Sequence, residues 1–290
     1  MSNTFLYVVT VAIWGSTWLA IEFQLGVVAP EVSIVYRYAL ASATLFLWSK
    51  YRGLSLTFEV KYHYWFAALG LLLFSLNYIL AYRAQEHITS ALAAIAFSMI
   101  LWMNIVLSRL VFGTRATPRV LVGAVLGIVG IVVIFAPQVE VLSLGDSVFY
   151  GCALAMTGAL TASFGNMASQ AAQKRALPVM QANAWGMLYG ALITAAVAVA
   201  GGHPFTFDAT FTYIASLAYL AIFGSVIAFG AYLTLVGRIG AHRAGYAAVM
   251  WPVVALALSM AFEGLRLDAP IIIGTSFVLL GNLLVLKRGA

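Results

Sequence analysis

Charge is scarce in this chain of 290 residues: charged residues make up 8% of it and hydrophobic ones 63%, whereas a soluble domain carries roughly 25% charged residues. So little charge cannot coat a soluble core of this size. Cysteine is almost absent too, and the single Cys152 excludes a disulfide framework or a thiolate metal cluster. The four histidines, His63, His87, His203 and His242, all fall at the ends of apolar runs or between them, which excludes a histidine metal centre at mid-membrane depth. No cofactor is expected. Paired intramembrane aspartates, a His-Glu-x-x-His helix and a serine near a histidine are all missing, so an intramembrane enzyme has no catalytic set to work with. A phosphate-cradling Gly-x-x-x-x-Gly-Lys-Ser/Thr loop is missing as well, which excludes ATP hydrolysis by this chain.

What is present is ten apolar runs, at about 4–24, 33–49, 64–84, 89–111, 118–136, 146–168, 180–200, 210–236, 241–262 and 268–286. A bilayer core of about 30 Å needs about 20 apolar residues of helix to cross it. Backbone polar groups in lipid must all be paired, which leaves a helical bundle or a closed barrel. The runs are too long and too uniformly apolar for barrel strands. The fold class expected is therefore an all-α integral membrane protein of ten transmembrane helices. Met1-Ser-Asn-Thr4 lacks a basic region, so the first run reads as a retained helix rather than a secretory signal.

The net charge of +6 is an orientation signal, and no nucleic-acid partner is expected. With the N-terminus inside, one set of loops holds Lys50, Arg52, Lys61, Arg109, Arg115, Arg119, Lys174, Arg175, Arg238, Arg243, Lys287 and Arg288, twelve of the fifteen basic residues. Arg83 and Arg266 lie on the opposite side, and Arg37 lies within the second run. The positive-inside bias puts both termini in the cytoplasm, in the cytoplasmic (inner) membrane of a bacterium.

Weak internal repetition runs through the chain. Ala81-Tyr82 returns as Ala231-Tyr232, Gly113-Thr-Arg115 as Gly264-Leu-Arg266, and Pro118 as Pro270, at offsets of 150, 151 and 152. Half of ten spans is an odd number, so the second copy enters from the opposite face. That gives two inverted five-helix repeats, 1–138 and 139–290, an arrangement common in carriers.

Three motifs, Ile13-Trp14-Gly15-Ser16, Tyr36-Arg37-Tyr38-Ala39 and the run Ala255 to Phe262 followed by Glu263-Gly264-Leu265-Arg266-Leu267, resemble the EamA-type branch of the drug/metabolite transporter superfamily. The resemblance covers the whole chain and rests on the joint order of the motifs. Within the branch the chain looks most like the amino-acid exporters of the YddG type. This implies a ten-helix, inverted-repeat carrier moving aromatic or other neutral amino acids out of the cytoplasm; the aromatic residues leave cationic aromatic drugs as the alternative cargo, through cation–π contact. A channel would need a ring of pore charges or a carbonyl filter. Departures from the family pattern include Glu22, where many members have lysine, and Leu101, where the fourth span usually has the proline that the ninth keeps as Pro252.

A zwitterion needs polar partners for its two charged ends and an apolar surface for its side chain. Ser75, Tyr78, Tyr82 and Gln85 share one helix face, as do Ser98 and Trp102 on the fourth span and Ser163, Asn166 and Gln170 on the sixth. The substrate-binding candidates are Trp14, Tyr78, Tyr82, Ser98, Trp102, Asn166, Tyr246 and Trp251, around a central cavity. Glu22 and Arg37 fall at similar depth toward the outer half. They form a gating and coupling element or a structural pair fastening spans one and two, or else Glu22 simply reaches the outer headgroups. Pro252 is either a fixed kink or a hinge. Gly123, Gly127, Gly130, Gly274 and Gly281 allow close helix contact, which we expect inside each repeat rather than at a dimer face. The partners expected are a small-molecule substrate and the lipid bilayer, with the protein a monomer or weak homodimer.

Overall fold

The computed structural model describes residues 1–141, 146–262 and 268–286. The Glu263-to-Leu267 motif, Lys287 and Arg288 lie outside them. All regular structure among the described residues is helical. The chain runs through α1 (Asn3–Glu22), α2 (Pro30–Tyr51), α3 (Val60–Leu69), a π-helical segment Gly70–Leu76, α4 (Asn77–Gln85), α5 (Ser90–Phe97), α6 (Ile100–Phe112) and α7 (Pro118–Val141). It continues through α8 (Asp146–Gln173), α9 (Val179–Ala200), α10 (Phe211–Tyr219), a second π-helical segment Leu220–Ile227, α11 (Ala228–Ile239), α12 (Ala241–Ala244), α13 (Ala247–Phe262) and α14 (Ala269–Leu286).

Local chemistry sets the ends of these helices. Ser2 caps α1 by accepting from the Phe5 N–H at 3.2 Å, Thr89 caps α5 at Leu92, Thr210 caps α10 at Tyr213 and Asp268 caps α14 at Ile271. Each short polar side chain satisfies an N–H that the first turn leaves open. Pro30 begins α2 and Pro118 begins α7, where a missing N–H costs nothing. Gly240, at φ +82°, turns the chain between α11 and α12, a conformation a side chain resists.

Six helices among the described residues are long and apolar enough to cross a membrane: Asn3–Glu22, Val60–Gln85, Leu92–Phe112, Ser147–Gln173, Val179–Ala200 and Phe211–Ile239. Pro118–Ile134 and Ala269–Val285 are shorter apolar helices. At 22 residues α2 is long enough, but it carries Glu31, Arg37 and Lys50, and it buries the first two of these. Every apolar run of the sequence carries helix. The third and eighth contain the π-helical segments, and the fourth and ninth are each broken in two.

The main core gathers residues of α1, α2, α4, α5, α8, α9, α11 and the first π segment. In it α1 packs on α11 and α13, α8 on α4 and α6, and α2 on α9. A second cluster forms where α7 and α14 meet, with Leu101 and Tyr246 against them. There the glycines act across the two halves rather than inside each, contrary to expectation. A Cβ on Gly130 would stand 2.5 Å from the Gly274 carbonyl oxygen, and one on Gly274 2.5 Å from that of Gly130. Only hydrogen fits between the two backbones, and each glycine is required by the other helix rather than by its own.

Candidate functional site

A cavity opens at the centre of the bundle. Its wall takes Trp14, Thr17, Trp18 and Ile21 from α1, Leu73 from the first π segment, and Asn77, Tyr78 and Ala81 from α4. Phe97, Ile100, Ala162, Asn166, Phe229, Tyr232 and Trp251 complete it from α5, α6, α8, α11 and α13. The space in which the centre of a water-sized sphere fits is about 60 Å³, room for on the order of four to six waters.

Aromatic edges build most of this wall. The Trp14 indole meets Phe229 edge-on with ring centroids 4.8 Å apart, leans on Tyr232 at 4.9 Å and stands nearly perpendicular to Trp251 at 5.5 Å. Trp18 meets Phe97 edge-on at 5.5 Å. Such edge-to-face contacts set a positive ring edge against a negative ring face, and so hold the rings at fixed angles. Trp14 is also pinned by its indole N–H, which donates to the Gly224 carbonyl at 2.9 Å.

The polar part of the wall is an amide network. The Asn104 Oδ1 accepts from Ser163 Oγ at 2.7 Å and from Asn166 Nδ2 at 3.2 Å. The same Asn166 Nδ2 donates to the Tyr232 hydroxyl at 3.1 Å, and Asn77 Nδ2 donates to the Leu73 carbonyl at 3.3 Å. These donations leave Asn77 Oδ1 and Asn166 Oδ1 buried without a partner among the described residues, as is the Trp251 indole Nε1. Native interiors leave few such groups. Other buried groups of the bundle are unpaired too, but these two acceptors and one donor share one aromatic wall.

Of the residues singled out from sequence, Trp14, Tyr78, Asn166 and Trp251 come together in this wall. The other four lie outside it. Tyr82 is fully buried and turns to Arg37, whose Nη1 stands 3.5 Å from its hydroxyl. Ser98 braces the break between α5 and α6, donating to the Ala94 carbonyl at 2.8 Å and to that of Ala248 at 3.0 Å. Trp102 packs against the second cluster, and Tyr246 donates to the Gly123 carbonyl at 2.8 Å. Phe229 and Tyr232 of the eighth run escaped the sequence reading. The repeat offset that pairs Tyr82 with Tyr232 was the signal for the second.

Glu22 and Arg37 do not pair. Glu22 is exposed at the end of α1, whereas Arg37 is wholly buried. Arg37 donates from Nε to Ser225 Oγ at 2.9 Å, and its guanidinium lies 4.4 Å from the centre of the Tyr78 ring. Equal depth along two helices says nothing about which way each side chain faces. Pro252 is buried inside α13, directly after Trp251.

Sequence reasoning also missed an ion cluster around the buried Glu31. Glu31 at the start of α2 accepts from Arg83 through both its oxygens, each at 3.0 Å, while Arg83 also reaches Glu86 at 3.0 Å. His203, just beyond α9, stands 3.7 Å from Glu31. Among the described residues no group of three or more His, Cys, Asp or Glu comes together that could hold a metal ion.

A helical chain with an aromatic, amide-lined chamber at its centre is built as a membrane transporter is built, and comparison with known proteins agrees. The chain belongs to the EamA-like transporter family, whose model matches residues 2–136 and again 149–287. It is thus a multi-pass membrane protein of a transporter family rather than an enzyme. It is 26% identical over 257 residues to the uncharacterized inner membrane transporter YedA of Escherichia coli strain K12, covering 87% of this chain and 80% of that one. It is 24% identical to the uncharacterized transporter YoaV of Bacillus subtilis, over 94% of this chain and 90% of that one. An uncharacterized transporter of Archaeoglobus fulgidus is 22% identical, over 99% of this chain and 100% of that one. A protein of known crystal structure superposes with a TM-score of 0.80 at 18% identity, over 98% of this chain and 96% of that one, a likeness of fold alone.

Proposed function

We propose that the protein is a secondary carrier exporting neutral, including aromatic, amino acids or related small metabolites across the cytoplasmic membrane by alternating access. The observation that carries the reading is the wall of the central cavity, where the unpartnered Asn77 Oδ1, Asn166 Oδ1 and Trp251 Nε1 sit among aromatic rings. Carbonyl oxygens suit an ammonium group, an indole N–H suits a single acceptor atom of the substrate, and the rings suit an apolar side chain. Among the described residues no charged side chain lines the cavity, so a substrate of no net charge can bind and leave again.

The architecture proposed is ten spans in two inverted five-helix repeats, 1–138 and 139–290. Reciprocal packing supports it: α1 lies on α11 and α13 as α8 lies on α4 and α6, while α2 meets the second π segment as α9 meets the first. Such cross-pairing is what a pseudo-two-fold axis produces. The π segments begin at Gly70 and Leu220, 150 residues apart, and the family model matches each half separately. Wide π turns and the breaks in the fourth and ninth runs mark places where helices can flex, with Pro252 as a hinge in α13. The Arg238 side chain donates to the Met1 carbonyl at 2.9 Å, which sets the end of α11 on the same side as the N-terminus and suits cytoplasmic termini. The glycine stripes of α7 and α14 are used against each other, which favours a monomer.

Cationic aromatic compounds are the second reading, favoured by the indoles of Trp14, Trp18 and Trp251, whose faces attract cations. The test is counterflow in sealed proteoliposomes preloaded with unlabelled phenylalanine, leucine or a cationic aromatic dye, followed with the labelled compound outside. Saturable amino-acid counterflow is expected. Movement of the dye alone would transfer the assignment to the second reading, and conductive flux would make the protein a channel.

A further inference from the structure

The Arg37 guanidinium is a full charge, entirely buried within a membrane protein, and an ion in such a place needs a counter-charge or a complete set of hydrogen bonds. It has neither. Arginine carries five N–H donors. One makes a firm bond, from Nε to Ser225 Oγ at 2.9 Å. The Ser225 hydroxyl hydrogen goes to the Leu220 carbonyl at 2.9 Å, so its oxygen is free to accept. The other two contacts, to Tyr82 Oη at 3.5 Å and Tyr78 Oη at 3.4 Å, are at the limit of hydrogen-bond length.

No described carboxylate answers the charge. Glu31 and Glu86 are taken by Arg83, Glu59 by Lys61, Asp208 and Asp268 accept from the Thr210 and Ile271 N–H groups, and Glu22 is exposed. Only thin cover separates Arg37 from the cavity. The Tyr78 ring, over which the guanidinium stacks, is itself part of the wall. At Gly224 a single methyl group would stand 3.2 Å from Arg37 Nη2 and 3.0 Å from the Cγ2 of Thr17, another wall residue.

We propose that Arg37 is the carboxylate anchor of the transported substrate, exchanging its long contacts to Tyr78 and Tyr82 for the two oxygens of a substrate carboxylate while Ser225 holds Nε in place. A guanidinium fork matches a carboxylate in two parallel bonds. The buried charge is then complete only when substrate is present, and Tyr78 is the cover that yields to it. This assignment rests on the amino-acid reading above. It also explains how a wall without charged residues binds a molecule with a carboxylate end, and why cationic cargo lacking one is disfavoured.

The test compares phenylalanine with phenylalaninamide, which keeps the ring and the ammonium but loses the carboxylate, as competitors of phenylalanine counterflow in proteoliposomes. In the wild type the amide should compete roughly tenfold or more weakly, the scale of a lost charge-assisted hydrogen bond. Arg37→Gln should raise the KM for phenylalanine by a similar factor and leave competition by the amide unchanged, so that the preference collapses. Arg37→Lys, which keeps the charge and loses the fork, should fall between. If Arg37→Gln does not fold, the Tyr78→Phe/Tyr82→Phe double variant serves: without competing hydroxyls the KM for phenylalanine should fall relative to that for the amide, whereas a purely structural arginine would leave their ratio unmoved. A folded Arg37→Gln protein with the wild-type preference overturns the proposal, as does an unmoved ratio in the double variant. Wild-type transport with no preference for the carboxylate defeats this assignment and leaves the carrier reading standing. No amino-acid flux at all defeats both.

Discussion

Tyr78 and Asn166 stand in the wall of the cavity, whereas Trp102 packs into the second cluster, and this difference carries an expectation. Tyr78→Ala, which takes a ring out of the wall, and Asn166→Ala, which takes out an amide, should each cut the transport rate roughly tenfold, the scale of one buried contact. Trp102→Ala should leave it within about twofold, because removing a packing ring costs stability rather than recognition. Counterflow normalised to the amount of folded protein checks all three, and a Trp102→Ala loss equal to that of Tyr78→Ala would move the site toward α7 and α14. The sequence made Tyr78 and Asn166 legible because each belongs to a stripe of polar residues on one helix face, and Trp14 and Trp251 because each sits in or beside a motif residue, Trp14 in Ile13-Trp14-Gly15-Ser16 and Trp251 next to Pro252. Facing was harder to read. Trp102 follows the wall residue Ile100 by two positions, roughly 200° around the helix, and so points away from it. Trp18 and Phe229 were hidden by the apolar sequence around them, and Arg37 was misjudged because depth was legible and direction was not.

At the scale of helices, the apolar runs and their capping residues fixed where each element lies, and the structure adds how elements seize one another. The approach of α7 to α14 depends on Gly130 and Gly274, each without room for a Cβ. A Gly130→Val protein should lose about 1–3 kcal/mol, as overpacked cores do, seen as a lower melting temperature in detergent. No change would mean that the two helices part freely. The glycines were visible in the sequence, but their partner was not, since a small-residue stripe does not say which helix it receives. Glu31 is a comparable case. It reads as a loop-side acid, yet it is buried with Arg83 on α4 and His203 beyond α9. Glu31→Gln weakens two hydrogen bonds at the buried end of α2, while Arg83 keeps Glu86, so it should lower the melting temperature modestly, whereas Lys61→Gln, whose pair is exposed, should not.

For the whole molecule the decisive question is which ends of the bundle share a side. Twelve basic residues fall in one set of loops by the sequence pattern, and the packing of Arg238 against Met1 and Asn3 joins the end of α11 to the start of α1. If the basic set is cytoplasmic, the turn between α6 and α7 lies inside and the turn between α9 and α10 lies outside. An odd number of crossings, α7, α8 and α9, separates the two turns. The single Cys152 is half-buried and can be replaced by alanine to give a background without thiols. Into that background we place one cysteine at Ala116, in the first turn, or at Phe205, in the second. A membrane-impermeant maleimide applied to intact cells should label the Phe205→Cys protein and spare the Ala116→Cys protein until the membrane is opened. Labelling of both from outside would leave an even number of crossings between them, and the inverted repeat would fall with the ten-span arrangement. Labelling of Ala116→Cys alone would keep the crossings, reverse the orientation, and turn the basic loops outward against the charge rule. The outcome also bears on the carboxylate anchor. Arg37 lies on the first turns of α2, so the orientation decides whether the buried charge sits nearer the face where an exporter releases its substrate or the face where it loads.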